Sequence, residues 1–366
     1  MKIIKIEIGK VKIPLKKPFI TALRHVDFAE DIIIKIITDT GNVGYGNAPP
    51  TAVITGDSQD SIISAIQNVI APQLIGLDIW ETEEIFQRID KSMLHNSSAK
   101  ACLDIAVYDL LGQMCNLPLY KLLGGYRHSF KSDLTISLRE PSIMAQDARE
   151  AVNNGYTDLK LKVGGNAKLD FERVKAIREA VGDKINIRLD ANQGWKPKEA
   201  VRLIRQFEDK GLNIELIEQP VIAHDMSGLK FVTDNVDTLI MADEAAFGTY
   251  EVFQLLSNRA CDLINIKLMK AGGIHNALKI ADMASTCGVE CMMGCMLESK
   301  LGITASASLA GAKSIITRAD LDAADLLAED PIKGGISYNK NTILLNEQAG
   351  LGISEIQNWQ FITEIK

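Results

Sequence analysis

Thr157-Asp-Leu-Lys160-Leu-Lys162-Val, Ile185-Asn-Ile-Arg-Leu-Asp190, Ile214-Glu-Leu-Ile-Glu218, Thr238-Leu-Ile-Met-Ala-Asp243, Asp262-Leu-Ile-Asn-Ile-Lys267 and Val289-Glu-Cys-Met-Met293 are six short apolar runs at near-equal intervals. Each has the length and the β-branched content of a buried strand. From Lys160 the charged positions recur after 30, 28, 25 and 24 residues, the span of one strand plus one crossover helix. A charge at the end of one buried strand can be accidental. Lysine, acid, acid, acid, lysine on five successive strands is the pattern of a constructed site.

Helical periodicity fits between and beyond these strands, at 142–154, 168–181, 197–210, 226–235, 249–258, 274–287 and 298–311. Strict strand–helix alternation implies parallel strands joined by right-handed crossovers. Adding Asp133-Leu-Thr-Ile-Ser and a last strand near 316–321 makes about eight strands, which favours a closed β/α barrel over an open sheet. The first 130 residues read differently. Strand-like runs at 2–8 and 31–38, a Thr40-Gly41-Asn42 turn and a run at 43–46 precede helical stretches at 58–70, 81–94 and 97–115. In the last of these, Ala101, Ile105, Tyr108 and Leu111 fall along one side. The expected organisation is an α+β unit over 1–125, a barrel over 126–330 and a strand-rich tail over 331–366 returning to the first unit.

The 366 residues carry a formal net charge of −7 with both signs interspersed, so nucleic acid is not an expected partner and a small molecule is. Met1-Lys-Ile-Ile-Lys-Ile-Glu-Ile alternates at strand period and lacks the uninterrupted apolar stretch expected of a signal peptide; no run approaches the roughly 20 apolar residues of a membrane span. The cytoplasm is the expected compartment, and a homo-oligomer the expected assembly. Six cysteines in a chain of this size do not make a disulfide framework. Cys287, Cys291 and Cys295 lack the close pairs of a zinc or iron–sulfur site. Cys291, Met293 and Cys295 are expected to share one strand face pointing into the barrel.

Strand ends converge on one mouth of a barrel, where Asp190, Glu218 and Asp243 would meet. Three unpaired anions would raise one another's pKa, and a divalent cation is the simplest canceller. All-oxygen ligands point to Mg²⁺, with Mn²⁺ second. Ion pairs with Lys160, Lys162 and Lys267, without metal, are the alternative. Lys160 and Lys162 are two apart and leave the same strand face, so each should lower the other's pKa and yield a usable base. Lys267 lies across the ring. Two bases flanking one carbon, with a cation on an adjacent carboxylate, describe proton abstraction next to a carboxylate: racemisation or epimerisation, or β-elimination from a substrate with a leaving group.

Weaker signals surround this set. Asn192 is placed to hold a carboxylate or a metal-bound water. Lys270-Ala-Gly272-Gly273 reads as a helix-start turn more readily than as a phosphate cradle. Asp320 and Asp322 share one face of the last strand, where they would receive an ammonium or else form a surface acidic cluster. Arg24 falls in a loop of the first unit.

Lys160-Leu-Lys162, Asp190-Ala-Asn192, Glu218-Gln-Pro220, Asp243-Glu244 and Asn265-Ile-Lys267 together resemble the signature of the enolase superfamily, muconate-lactonizing-enzyme subgroup. The proton-abstraction outline above is the established chemistry of that superfamily. The resemblance implies an α+β capping domain, a (β/α)7β modified TIM barrel, and one Mg²⁺ on Asp190, Glu218 and Asp243. It also implies acid/base catalysis by Lys162 and Lys267, with Lys160 touching the substrate carboxylate. Within the subgroup the chain is most similar to dipeptide epimerases of the L-Ala-D/L-Glu type, which act in murein peptide metabolism. On that likeness Asp320 and Asp322 take the dipeptide's ammonium, Arg24 the glutamate side chain, and Thr135 and Cys295 further substrate contacts. Ala48-Pro-Pro-Thr-Ala-Val-Ile54 resembles a second capping loop. Asn47 and Ala245-Ala246 depart from the usual Glu and Ser. An N-acylamino acid racemase, an o-succinylbenzoate synthase or a cycloisomerase of the same subgroup is the alternative.

Overall fold

The computed structural model describes residues 1–21 and 25–366. Alternating isoleucines build the first sheet. β1 (Ile3–Ile20), β2 (His25–Thr38) and β3 (Val43–Ala48) form an antiparallel meander, Ile6 opposite Ile36 and Ile8 opposite Ile34, and both strands run beyond the lengths expected. Gly41, at φ +83°, makes the β2–β3 turn. Helices α1 (Gln59–Ala65), α2 (Thr82–Lys91) and α3 (Ser97–Cys115) follow. The first stretch is not one α-helix, because Ile66–Ile70 widens into a π turn. Nor is α3 one-sided, since it is buried almost all round. It packs on β3 where Gly44 and Gly46 stand: a Cβ at Gly46 would lie 1.8 Å from Cys102 O. Close packing of helix on sheet therefore requires glycine there.

After α4 (Leu119–Leu122) and the short β4 (Ser129–Lys131), eight parallel strands follow in ring order. They are β5 (Leu134–Ile136), β6 (Asp158–Lys162), β7 (Asn186–Asp190), β8 (Ile214–Glu218), β9 (Leu239–Ala242), β10 (Leu263–Ile266), β11 (Glu290–Gly294) and β12 (Ile316–Asp320). Seven crossover helices join them: α5 (Pro141–Asn153), α6 (Ala167–Val181), α7 (Pro197–Asp209), α8 (Met226–Thr233), α9 (Thr249–Asn258), then α11 (Ile274–Cys287) after the one-turn α10 (Leu268–Ala271), and α12 (Lys300–Ala312). The observed helix limits match the periodicity within two residues. The edge strands meet through Asp133 N–H on Ala319 O at 3.1 Å and Thr135 N–H on Asp322 Oδ2 at 2.7 Å. The result is a capping unit over a (β/α)7β barrel. After β12 the chain makes only the one-turn α13 (Ala323–Leu326), then β13 (Ile332–Gly334), β14 (Ser337–Asn339), β15 (Thr342–Leu344) and β16 (Ile353–Ile356). The tail ends in β17 (Gln360–Ile365), antiparallel to β1.

Leu216, Met241, Leu263 and Met292 make a small buried cluster separate from the main core, the apolar floor inside the barrel. This corrects the inward face expected for β11. Met292 points in, whereas Cys291 and Met293 join the core between strands and helices, and Cys295 lies beyond the strand. All three residues are apolar, so polarity could not set the register. All six cysteines are free, and Cys287 is exposed. No described helix is long and apolar enough to cross a membrane.

Candidate active site

Parallel register brings the marked residues level. Lys162 pairs with Asp190 and Asp190 with Glu218 on adjacent strands, and Gly294 pairs with Asp320 on another adjacent pair, β11 and β12. Lys160, Lys162, Asp190, Glu218, Asp243 and Lys267 are all at most 7 % exposed. Lys162 ends the second barrel strand and Lys267 follows the sixth, so the two amines stand on opposite sides of an eight-stranded ring.

Each carboxylate is met by an ammonium. Lys160 Nζ donates to Asp320 Oδ2 at 2.7 Å and lies 3.1 Å from Asp190 Oδ2. Its 2.6 Å approach to Glu218 Oε2 is at an angle that makes no hydrogen bond. Lys162 donates to Asp190 at 2.6 Å and Lys267 to Asp243 Oδ2 at 2.8 Å. The three carboxylates are thus ion-paired with these lysines, and among the described residues no three acidic, His or Cys side chains form a ready metal cluster.

Lys160 is not tuned downward as expected. Burial works against the charge of Lys160, but Asp190, Asp320 and Glu218 outweigh it and raise its pKa well above the ordinary value. Lys267 is likewise raised, by Asp243 and Glu218 against burial. The neighbouring ammonium is a smaller influence than the surrounding anions. Asp190 and Asp243 are held below the ordinary range by those lysines despite burial. Glu218 goes the other way, pushed up to about 8 by burial and by Asp190. Its Oε2 accepts no hydrogen bond while fully buried. An all-oxygen donor set with one under-compensated carboxyl fits a hard divalent cation in its chemistry.

Four further groups hold the set. Lys270 Nζ, fully buried, donates to Asp243 Oδ1 at 2.5 Å and to the carbonyls of Asp243 and Asn265. Lys270-Ala-Gly272-Gly273 is therefore not a phosphate cradle; its lysine turns inward. Gln219 Oε1 accepts from the amides of Asp243 and Ala245, and Asn265 Nδ2 donates to Glu218 Oε1 at 2.7 Å. Asn192, at φ 42°, donates its amide to Asp190 Oδ1 at 2.9 Å and its Nδ2 to Glu244 at 3.3 Å, orienting carboxylates as expected. The sequence reading missed this role of Lys270, and the signal that points to it is a second lysine three residues beyond Lys267.

Above this layer lies a hollow of about 60 Å³ lined by Lys160, Lys162, Lys267, Thr135, Asp320 and Asp322, by Cys295–Leu297 from the barrel, and by Phe19, Val53 and Ile54 from the cap. Asp322 accepts from the Thr135 amide, and burial with Asp320 pushes its pKa up to about 6. Arg24 lies outside the described residues.

A two-part chain with acids and opposed lysines at the barrel mouth has the build of an enzyme acting on a small molecule. Its first part matches the mandelate racemase/muconate lactonizing enzyme N-terminal domain over residues 3–124, and its second the enolase C-terminal domain-like family over 143–357. The chain belongs to the muconate-lactonizing-enzyme subgroup of the enolase superfamily. It is 52 % identical over 353 residues to the L-Ala-D/L-Glu epimerase of Clostridium acetobutylicum, covering 96 % of this chain and 99 % of that one. A substrate-liganded L-Ala-D/L-Glu epimerase from Bacillus subtilis superposes with a TM-score of 0.97 at 52 % identity, over 97 % and 99 % of the two chains. The Enterococcus faecalis dipeptide epimerase, complexed with Mg and L-Leu-L-Tyr, superposes at 0.94 with 47 % identity, over 97 % and 100 %.

Proposed function

We propose that the chain is a Mg²⁺-dependent dipeptide epimerase of the L-Ala-D/L-Glu type, inverting the α-carbon of the C-terminal residue. The placement of Lys162 and Lys267 across the ring from each other carries this reading. One amine, in its neutral form, takes the α-proton from one face. The electron pair left on carbon passes into the carboxylate, and the opposite ammonium returns a proton to the other face. No oxidant is needed, and the reverse reaction exchanges the two roles. Lys160 binds the substrate carboxylate, Asp320 and Asp322 bind the ammonium, and Thr135 holds Asp322 in place. Cys295 walls the hollow. Asp190, Glu218 and Asp243 would hold the Mg²⁺, which supplies positive charge beside the substrate carboxylate when bound.

The test is deuterium uptake at the second residue's α-carbon in D2O with Mg²⁺. Lys162→Ala and Lys267→Ala should each abolish inversion, one variant exchanging the α-proton of only the L epimer and the other only the D epimer. Loss of neither exchange in either variant would refute the two-base assignment. Asp322→Asn should cripple turnover of a dipeptide but barely touch an N-acyl substrate, which has no ammonium; the opposite result would favour the N-acylamino acid racemase reading.

A further inference from the structure

Outside the barrel wall, beside the mouth, lies a second and larger cavity of about 520 Å³. It occupies the place where an eighth crossover helix would stand. β12 is followed only by the one-turn α13, which leaves a gap between α13 and α5, roofed by the end of β1. Phe19, Thr135 and Leu326 line both this cavity and the hollow over the lysines, so the two spaces are neighbours.

Apart from Lys340, the charged groups on the rim of the cavity are engaged with one another. Lys17 pairs with Asp147 and Glu150, Arg139 with Asp147, and Lys16 with Asp325. The hydroxyls inside are also spent: Tyr156 donates to Asp325 Oδ2 at 2.7 Å and Tyr338 to Leu321 O at 2.7 Å. The rest of the wall is mainly apolar, Leu134, Ile136, Ala151 and Leu326 with the two tyrosine rings, beside the polar Ser137 and Asn154. Ligand cavities usually run to about 300–1,000 Å³. The hollow over the lysines, at about 60 Å³, is too small for two residues, whereas the adjoining cavity has room to spare.

We propose that this cavity is a subsite for the side chain of the dipeptide's amino-terminal residue, and that it takes large apolar side chains. The inference rests on the dipeptide reading, because that reading puts the ammonium at Asp320 and Asp322, on the β12–β5 side where the cavity begins. With the ammonium held there, the chain cannot be extended past it, and the first side chain is the substrate group nearest to Phe19 and Leu326.

The experiment compares α-proton exchange of L-Ala-L-Glu, L-Leu-L-Glu and L-Phe-L-Glu by the Mg²⁺-loaded enzyme. The Leu and Phe substrates should show kcat/KM within tenfold of the Ala substrate. Ala151→Leu, which fills the back of the cavity, should lower the ratio of L-Phe-L-Glu to L-Ala-L-Glu by at least 20-fold. Asn154→Trp, at an exposed position on the rim, should lower the same ratio and does not depend on repacking the core. Rejection of Leu and Phe by more than 100-fold while L-Ala-L-Glu is exchanged would overturn the proposal, as would an unchanged ratio in both variants. Exchange of no dipeptide at all would instead sink the epimerase reading.

Discussion

Glu298 should make the protein measurably less stable in mild alkali, and Glu298→Gln should remove that sensitivity. The residue follows β11 and is buried against the capping sheet. Its Oε1 accepts from the Met296 amide at 3.0 Å and its Oε2 from Asn47 Nδ2 at 3.0 Å. Asn47 Nδ2 also donates to Asp31 Oδ2 at 3.2 Å, which takes the Ser299 amide at 2.8 Å. Burial and then Asp31 push the Glu298 carboxyl up to about 8, against the opposing pull of Asn47, the Met296 amide and the more distant Lys267. An acid whose pKa rises on folding contributes stability that is complete below its unfolded value, about 4.3, and is lost as pH climbs through the folded one. The loss runs at about 1.4 kcal/mol per pH unit until the folded group itself ionises. Between pH 6 and 9 that amounts to about 2–3 kcal/mol. Glutamine has the shape of the protonated acid and does not titrate. Urea unfolding of both proteins at pH 6, 7.5 and 9 should therefore show the wild type falling by about 2–3 kcal/mol relative to the variant, since other groups titrate in both. Parallel stability profiles would refute the reasoning.

Gly294→Ala should act on turnover: its Cβ would stand 2.5 Å from Asn265 Oδ1 and 2.9 Å from Lys267 Cε, and a displaced Lys267 should lower kcat about 100-fold with little change in KM. Asp104→Ala should lower the urea midpoint by the equivalent of about 1–3 kcal/mol, because the carboxylate takes the first amides of α11, Ile274 N at 2.5 Å and His275 N at 3.2 Å. Mg²⁺ should raise the melting temperature, by the equivalent of about 2.7 kcal/mol at a hundred times its Kd, and Glu218→Gln should abolish most of that rise in a thermal-shift titration.

The barrel and the charged ring were legible because one physical rule writes both. A strand buried on both faces is a continuous apolar run, so a charge at its end stands out, and equal spacing aligns such charges at one mouth. Lys160, Asp190, Glu218, Asp243 and Lys267 need nothing more to be found. The β11 register was not legible, since Cys291, Met292 and Met293 are apolar on whichever face they fall, and polarity is the only local marker of inside and outside. The π turn at Ile66–Ile70 was hidden in an otherwise regular helical pattern. The direction of the Lys160 pKa shift is not legible, because pair spacing along one strand shows the nearest like charge but not the anions that neighbouring strands bring closer.

What escapes a linear reading most completely is how the cap is held to the barrel and to the C-terminal tail, and the same kind of residue does it three times. Asp31 on β2 takes the Ser299 amide, Asp104 on α3 takes those of Ile274 and His275, and Asp109 on α3 takes that of Leu351. Their partners lie 268, 170 and 242 residues away, so none of the three carries a local signature. Burial raises the pKa of all three, to about 6 for Asp31 and Asp109 and well above the ordinary carboxyl value for Asp104. Each therefore carries a desolvation cost, which the amides it satisfies offset, since those amides would otherwise be buried without a partner. Two of these contacts sit at the roots of walls of the hollow: Ser299 follows the Cys295–Leu297 loop, and Ile274 follows Lys267 and Lys270. The cap thus fixes the position of the groups around the substrate from behind, through backbone amides, and not only by the loops it lays over the mouth.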